Sequence, residues 1–121
     1  MSRKDIAGLF LQRAAFGSVD EAFAMVTPGF RHHNPNFAAG ADALKVAMAQ
    51  NAIKLPDKRL DVQRVLEDGD FVAIHSRIVL QREHPGISVV HVFRFEGDRI
   101  AELWDIGQEV PAESPNTDGM F

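Results

Sequence analysis

The period of the apolar residues changes once, near Pro56, and that single change constrains the fold more than any other feature of the chain. Before it, apolar residues recur at helical spacing. After it, β-branched and aromatic residues gather in runs between turn signals. Ile6, Leu9, Phe10, Arg13 and Ala14 share one side of a first helix, which Gly17 ends. Ser18-Val19-Asp20-Glu21 fits a capping box and predicts a short helix over Val19 to Val26, stopped by Pro28 and Gly29. Phe30 to Phe37 is too polar for a core strand and predicts a short extended piece and a turn. Leu44, Ala47, Met48 and Ala52 place a further helix over Ala41 to Lys54, with Asp42 in its first turn and Pro56 disfavouring helix at Leu55.

From Arg59 onward the runs Leu60–Leu66, Phe71–Arg82, Ile87–Glu96 and Arg99–Gly107 read as strands. The turns between them are Glu67-Asp68-Gly69-Asp70, His84-Pro85-Gly86 and Gly97-Asp98. Sequential hairpins make an antiparallel meander. The expectation is an α+β layer fold in one domain over residues 1–121, three N-terminal helices on a strongly curved antiparallel sheet with a pocket between them. An irregular tail begins at about residue 108, and Met120 and Phe121 give its end something apolar to dock.

Composition narrows the chemistry. With 0 cysteines and 0 tyrosines among 121 residues, disulfides, thiolate nucleophiles, cysteine-ligated zinc and phenolic acids are all excluded. The net charge of −4, with basic residues dispersed, argues against a nucleic-acid partner. No apolar stretch approaches a membrane span, the amino terminus lacks an h-region, and the chain reads as cytoplasmic. No Gly-x-Ser-x-Gly elbow, phosphate loop or dinucleotide fingerprint is present. Chemistry therefore falls to histidine and carboxylate.

The five histidines are not equivalent. His84 stands before Pro85-Gly86 in a turn. His32 and His33 are consecutive, so in extended backbone they point to opposite faces and one of them at most enters a pocket. His75 and His91 lie inside apolar strands, where an imidazole is either a core group bonded to a neighbour or a pocket group. Asp105, which follows the only tryptophan, is the carboxylate that stands out, since aspartate suits a mid-strand position poorly. Facing the interior, it would be placed to act as a base; at the strand edge, it would pair with Arg94 or Arg77. Glu102 has the other parity and competes with it. Pairing Glu96 with Arg99 sets His91 opposite Trp104 and Val90 opposite Asp105, so an ideal ladder turns His91 and Asp105 to opposite faces, and one β-bulge would reverse this. A metal site of His33, His75 and His91 is chemically conceivable but lacks the spacing of a metal motif, and no metal is expected.

Phe30-Arg31-His32-His33-Asn34-Pro35, then Asp70-Phe71-Val72-Ala73-Ile74-His75-Ser76-Arg77, and finally the run Val92 to Gln108 with Phe-Arg-Phe and Trp-Asp-x-x-Gln, resemble the SnoaL-like polyketide cyclases of the nuclear transport factor 2-like superfamily. The resemblance spans nearly the whole chain. It implies a cone-shaped fold, a homodimer formed through the sheet, an apolar pocket and no cofactor. In the cyclases an aspartate on the last strand removes a proton next to a carbonyl in an intramolecular aldol condensation, and Asp105 matches it. His33 matches the histidine of the His-Asn-Pro piece, and His75 the one in the third-from-last run, Phe71–Arg82. At His91 the family tends to carry an acidic residue, so the local charge differs here.

The catalytic candidates are thus Asp105, His33 and His75, with Asn34, His91, Trp104, Phe30, Phe71 and Phe93 as residues around a small-molecule ligand. The first functional reading is a cofactor-independent enzyme using general acid-base chemistry on a small apolar carbonyl compound, by cyclisation or isomerisation. The alternative is a non-catalytic ligand-binding or dimerisation module on the same fold.

Overall fold

The computed structural model describes residues 1–121. Helix α1 (Arg3–Ala15) begins with a reciprocal cap, in which Ser2 Oγ accepts the Asp5 N–H at 3.1 Å and the Asp5 carboxylate accepts the Ser2 N–H at 3.2 Å. The capping box is therefore at Ser2. At Ser18 the hydroxyl makes no cap bond, because Gly17 at φ +92° turns the chain and the Ser18 N–H goes back to the Arg13 carbonyl. Helix α2 is correspondingly short, Val19–Phe23.

Strand β1 (Val26–His32) then runs through the residues expected to break structure. It pairs parallel with the last strand, and its register slips between Val26 and Arg31. Pro28 and Gly29 lie in that slipped stretch, both exposed, so the missing proline N–H interrupts no ladder bond. Helix α3 follows over Ala41–Lys54 as expected. Strands β2 (Arg59–Asp68), β3 (Phe71–Val79), β4 (Ile87–Glu96) and β5 (Arg99–Glu109) form the antiparallel meander. Gly69 at φ +57° and Gly97 at φ +59° supply the left-handed turn positions of two of its hairpins.

The five strands lie in the order β1-β5-β4-β3-β2. Two expectations need correcting: the sheet is mixed rather than antiparallel, because β1 joins β5 in parallel, and it is not strongly curled, β1 and β2 remaining its two open edges.

The core lies between α1 and the inner face of the sheet. Ile6, Ala7, Phe10, Leu11 and Ala14 of α1 are buried against it at helical spacing. Phe10 meets Phe23 edge-on at 5.4 Å and Phe93 at 5.9 Å, and Phe23 meets Phe30 at 5.9 Å. Phe30 and Phe93 are consequently core residues rather than pocket walls. Removing a fully buried ring such as Phe93 costs about 3–5 kcal/mol.

One irregularity decides where the chemistry sits. Glu96 pairs with Arg99 and Phe95 with Ile100, but Arg94 pairs with Glu102, so Ala101 is an extra residue on β5. Ile100 and Ala101, though adjacent, are both buried. Beyond the bulge His91 is opposite Asp105 and Val92 opposite Trp104. The bulge thus places His91 and Asp105 on the same face, and Trp104 and Glu102 on the other.

After Glu109 the chain is irregular. Its end crosses the outer face, where Phe121 stacks on His75 with centroids 6.0 Å apart and Arg77 lies over the Phe121 ring. No helix is long and apolar enough to cross a membrane.

Candidate active site

Helix α3 buries less of itself than its apolar spacing suggests, with Leu44 its one buried residue. The reason is a cavity of about 460 Å³ between α3, the end of α1 and the inner sheet face. Its size falls within the roughly 300–1,000 Å³ usual for small-molecule sites. Leu11, Ala14, Leu44, Met48, Leu60 and Ile78 make it apolar. Asn34, His91 and Asp105 are the polar groups at its sheet side. The exposed Gln50, Asn51 and Lys54, with half-buried Lys58, form its mouth.

Asp105 reaches the cavity from β5, and its Oδ2 accepts a hydrogen bond from Asn34 Nδ2 at 2.8 Å. It pairs with no cation: Arg94 is engaged by Glu96 and Glu102, and Arg77 donates to the Pro85 carbonyl. Asn34 is itself fixed, because its Oδ1 accepts the Asn36 N–H at 2.9 Å. That bond also settles which end of the amide faces Asp105.

The turn that carries Asn34 is organised by His32. The buried His32 ring bonds the Ala38 carbonyl through Nε2 at 2.8 Å and accepts the Asn34 N–H on Nδ1 at 3.1 Å. This is the neutral ring with its proton on Nε2. Sequence reasoning did not single out His32. The signal was present, since His32 shares strand parity with the apolar Phe30 and must face inward with it.

His91 is opposite Asp105 in the ladder and 9% exposed. Its Nδ1 is buried with no partner in the protein. Burial pushes its pKa down to about 4, against the opposing pull of the Asp105 charge. The ring is therefore neutral near pH 7, with one N–H and one lone pair free.

The other expected site residues lie elsewhere. His33 points to the outer face, where it stacks on Trp104 at 4.9 Å and bonds Glu102 at 2.5 Å. Phe71 packs on that same Trp104 at 6.3 Å. His75 is also on the outer face, bonded to Arg64 and to Ser88 Oγ. Alternation along β1, β3 and β5 accounts for all four placements. Since His33, His75 and His91 lie on opposite faces, they do not converge on a metal, and no group of three metal-binding side chains occurs elsewhere.

Glu102 does not compete as a base. It is buried on the outer face, bonded by His33, Arg94 and Arg31. The His33 bond, with Arg94 and Arg31, holds its pKa down to about 2 in spite of its burial. A carboxylate so held takes up a proton poorly near neutrality.

The chain belongs to the SnoaL-like domain family, whose model matches residues 9–103. No curated protein matches it in sequence. Among solved structures, it is similar to a nuclear transport factor 2-like protein of unknown function from Cytophaga hutchinsonii at 15% identity and TM-score 0.73, covering 89% of this chain and 91% of that one. A candidate ketosteroid isomerase from Kribbella flavida aligns at 17% identity and TM-score 0.73, over 94% of this chain and 83% of that one. A candidate polyketide cyclase from Sinorhizobium meliloti aligns at 14% identity and TM-score 0.70, over 84% and 94% respectively. At these identities the likeness establishes the nuclear transport factor 2-like fold.

Proposed function

We propose that the protein is a cofactor-independent enzyme that removes a proton from carbon next to a carbonyl, with Asp105 as the base. One observation carries this reading: a carboxylate with no cationic partner sits in an apolar cavity, aimed by Asn34, beside a buried neutral imidazole whose ring nitrogen lacks a partner. Asp105 takes the proton, the C–H electron pair becomes the enolate, and the carbonyl oxygen that gains the charge accepts a hydrogen bond from the His91 N–H. The proton then returns from Asp105 to another carbon in an isomerisation. In a cyclisation the enolate carbon attacks a second carbonyl and the resulting alkoxide takes the proton. Neither course needs a cofactor.

The names of the structural neighbours include a candidate isomerase and a candidate cyclase, which is consistent with this class. The test is turnover of apolar carbonyl compounds by wild type and Asp105→Asn. Loss of about 10²–10⁴-fold in kcat with an unchanged far-UV spectrum is expected. Equal turnover would refute the assignment.

We further propose a homodimer formed through the outer sheet face. Leu66 at 65% exposure and Ile106 at 72%, together with Phe71 and Val90, are apolar side chains left open to solvent on that face in the isolated chain, around the Glu102 ion cluster.

A further inference from the structure

The mouth of the cavity differs in charge from its floor. Lys54 and Lys58 both line it, and no carboxylate lies within ion-pair distance of either. Elsewhere cations next to the same elements are paired: Lys45 of α3 with Asp20, and Arg82 with Asp57. Lys58 is half-buried, and its one partner is the side-chain oxygen of Asn51 at 2.5 Å. An ammonium carries three donors, so two remain free. Burial without a counter-charge also lowers its pKa. A cation placed this way gains from an anion that enters the cavity.

At the other end the only charged group is Asp105, a carboxylate held by a neutral amide. A ligand carboxylate is repelled there and attracted at the mouth, so a single pair of opposite ends sets the direction of binding. We infer that the cavity takes an apolar carbonyl compound bearing a carboxylate, with Lys58 and Lys54 holding the carboxylate at the mouth and the carbonyl lying beside Asp105 and His91. The inference names the substrate class of the proposed reaction and rests on that reading for its carbonyl end. The carboxylate end rests on the two lysines.

The probes are 1-naphthaleneacetate and its uncharged, nearly isosteric amide, 1-naphthaleneacetamide, titrated into the protein by calorimetry at pH 7. The acid is expected to bind about tenfold more tightly than the amide, the size of one charge-assisted hydrogen bond. Lys58→Met should bring the two affinities together, and Lys54→Met should narrow the gap. Asp105→Asn should keep the preference, since its charge is not what holds the acid. Equal affinity of the two probes for wild type, absence of acid binding at millimolar concentration, or an undiminished preference in Lys58→Met would each overturn the inference. The measurement needs no turnover, so such a result leaves Asp105 as base standing. Conversely, full turnover in Asp105→Asn removes the base while leaving the acid preference intact.

Discussion

The neutrality of His91 can be measured through stability. Its pKa lies at about 4 in the fold against 6.5 when exposed, because burial resists the charge on the ring. Between these values the unfolded chain binds a proton that the folded chain refuses. Stability is therefore full above about 6.5 and falls as pH drops toward 4. The gap amounts to about 3 kcal/mol in total, of which about 2 kcal/mol is lost by pH 5. The assay is urea unfolding followed by far-UV circular dichroism at pH 7.5, 6 and 5, all roughly spanning the range in which histidine titrates. In His91→Gln the drop between the extremes should shrink by about 2 kcal/mol, while every contribution from other groups is common to both proteins and cancels. A direct check is the His91 ring proton resonance, expected to stay in its neutral position down to pH 5. A drop of the same size in wild type and variant, or a resonance that titrates near 6.5, would refute both the burial argument and the role of His91 as a neutral donor.

Glu102 governs the more acidic range. Its pKa is depressed from 4.5 to about 2, so the stability it contributes is present above 4.5 and lost as pH falls toward 2. Glu102→Gln should flatten the acid limb of the unfolding midpoint in that window. For the outer face, light scattering coupled to gel filtration should show a dimer in wild type and a monomer in Ile106→Lys, because the charge falls on the most exposed apolar side chain of β5. A wild-type monomer would remove the homodimer proposal.

Much of this arrangement is legible in the sequence, and the parts that are not share a cause. Helix α3 and the meander came from periodicity and turn residues, which act locally. Strand β1 did not, because Pro28 and Gly29 are local breakers and its pairing with β5 is remote: parallel pairing of residues so far apart leaves no hairpin signature. The cap at Ser2 was readable as Ser-x-x-Asp, whereas the box at Ser18 had the right residues on a backbone that Gly17 turns away. Lys58 carried no signal at all. Its importance arises from where the segment after Pro56 passes the cavity mouth, and a lysine in a loop reads as solvated.

Ala101 shows how sharply such a site depends on register. Without the extra residue, Glu96 opposite Arg99 would carry through to His91 opposite Trp104, and strict alternation would place Asp105 among the outer-face residues and Trp104 in the cavity. With it, two consecutive small-to-medium apolar residues, Ile100 and Ala101, are both buried, and every side chain beyond them changes face. The same shift that brings Asp105 to His91 delivers Glu102 to Arg31, His33 and Arg94. Two carboxylates three positions apart thereby acquire opposite roles: one is neutralised by cations outside the cavity, and the other stays unpaired within it. Which of the two is free to take a proton is decided by the bulge, which neither residue's identity nor its neighbours in sequence reveal.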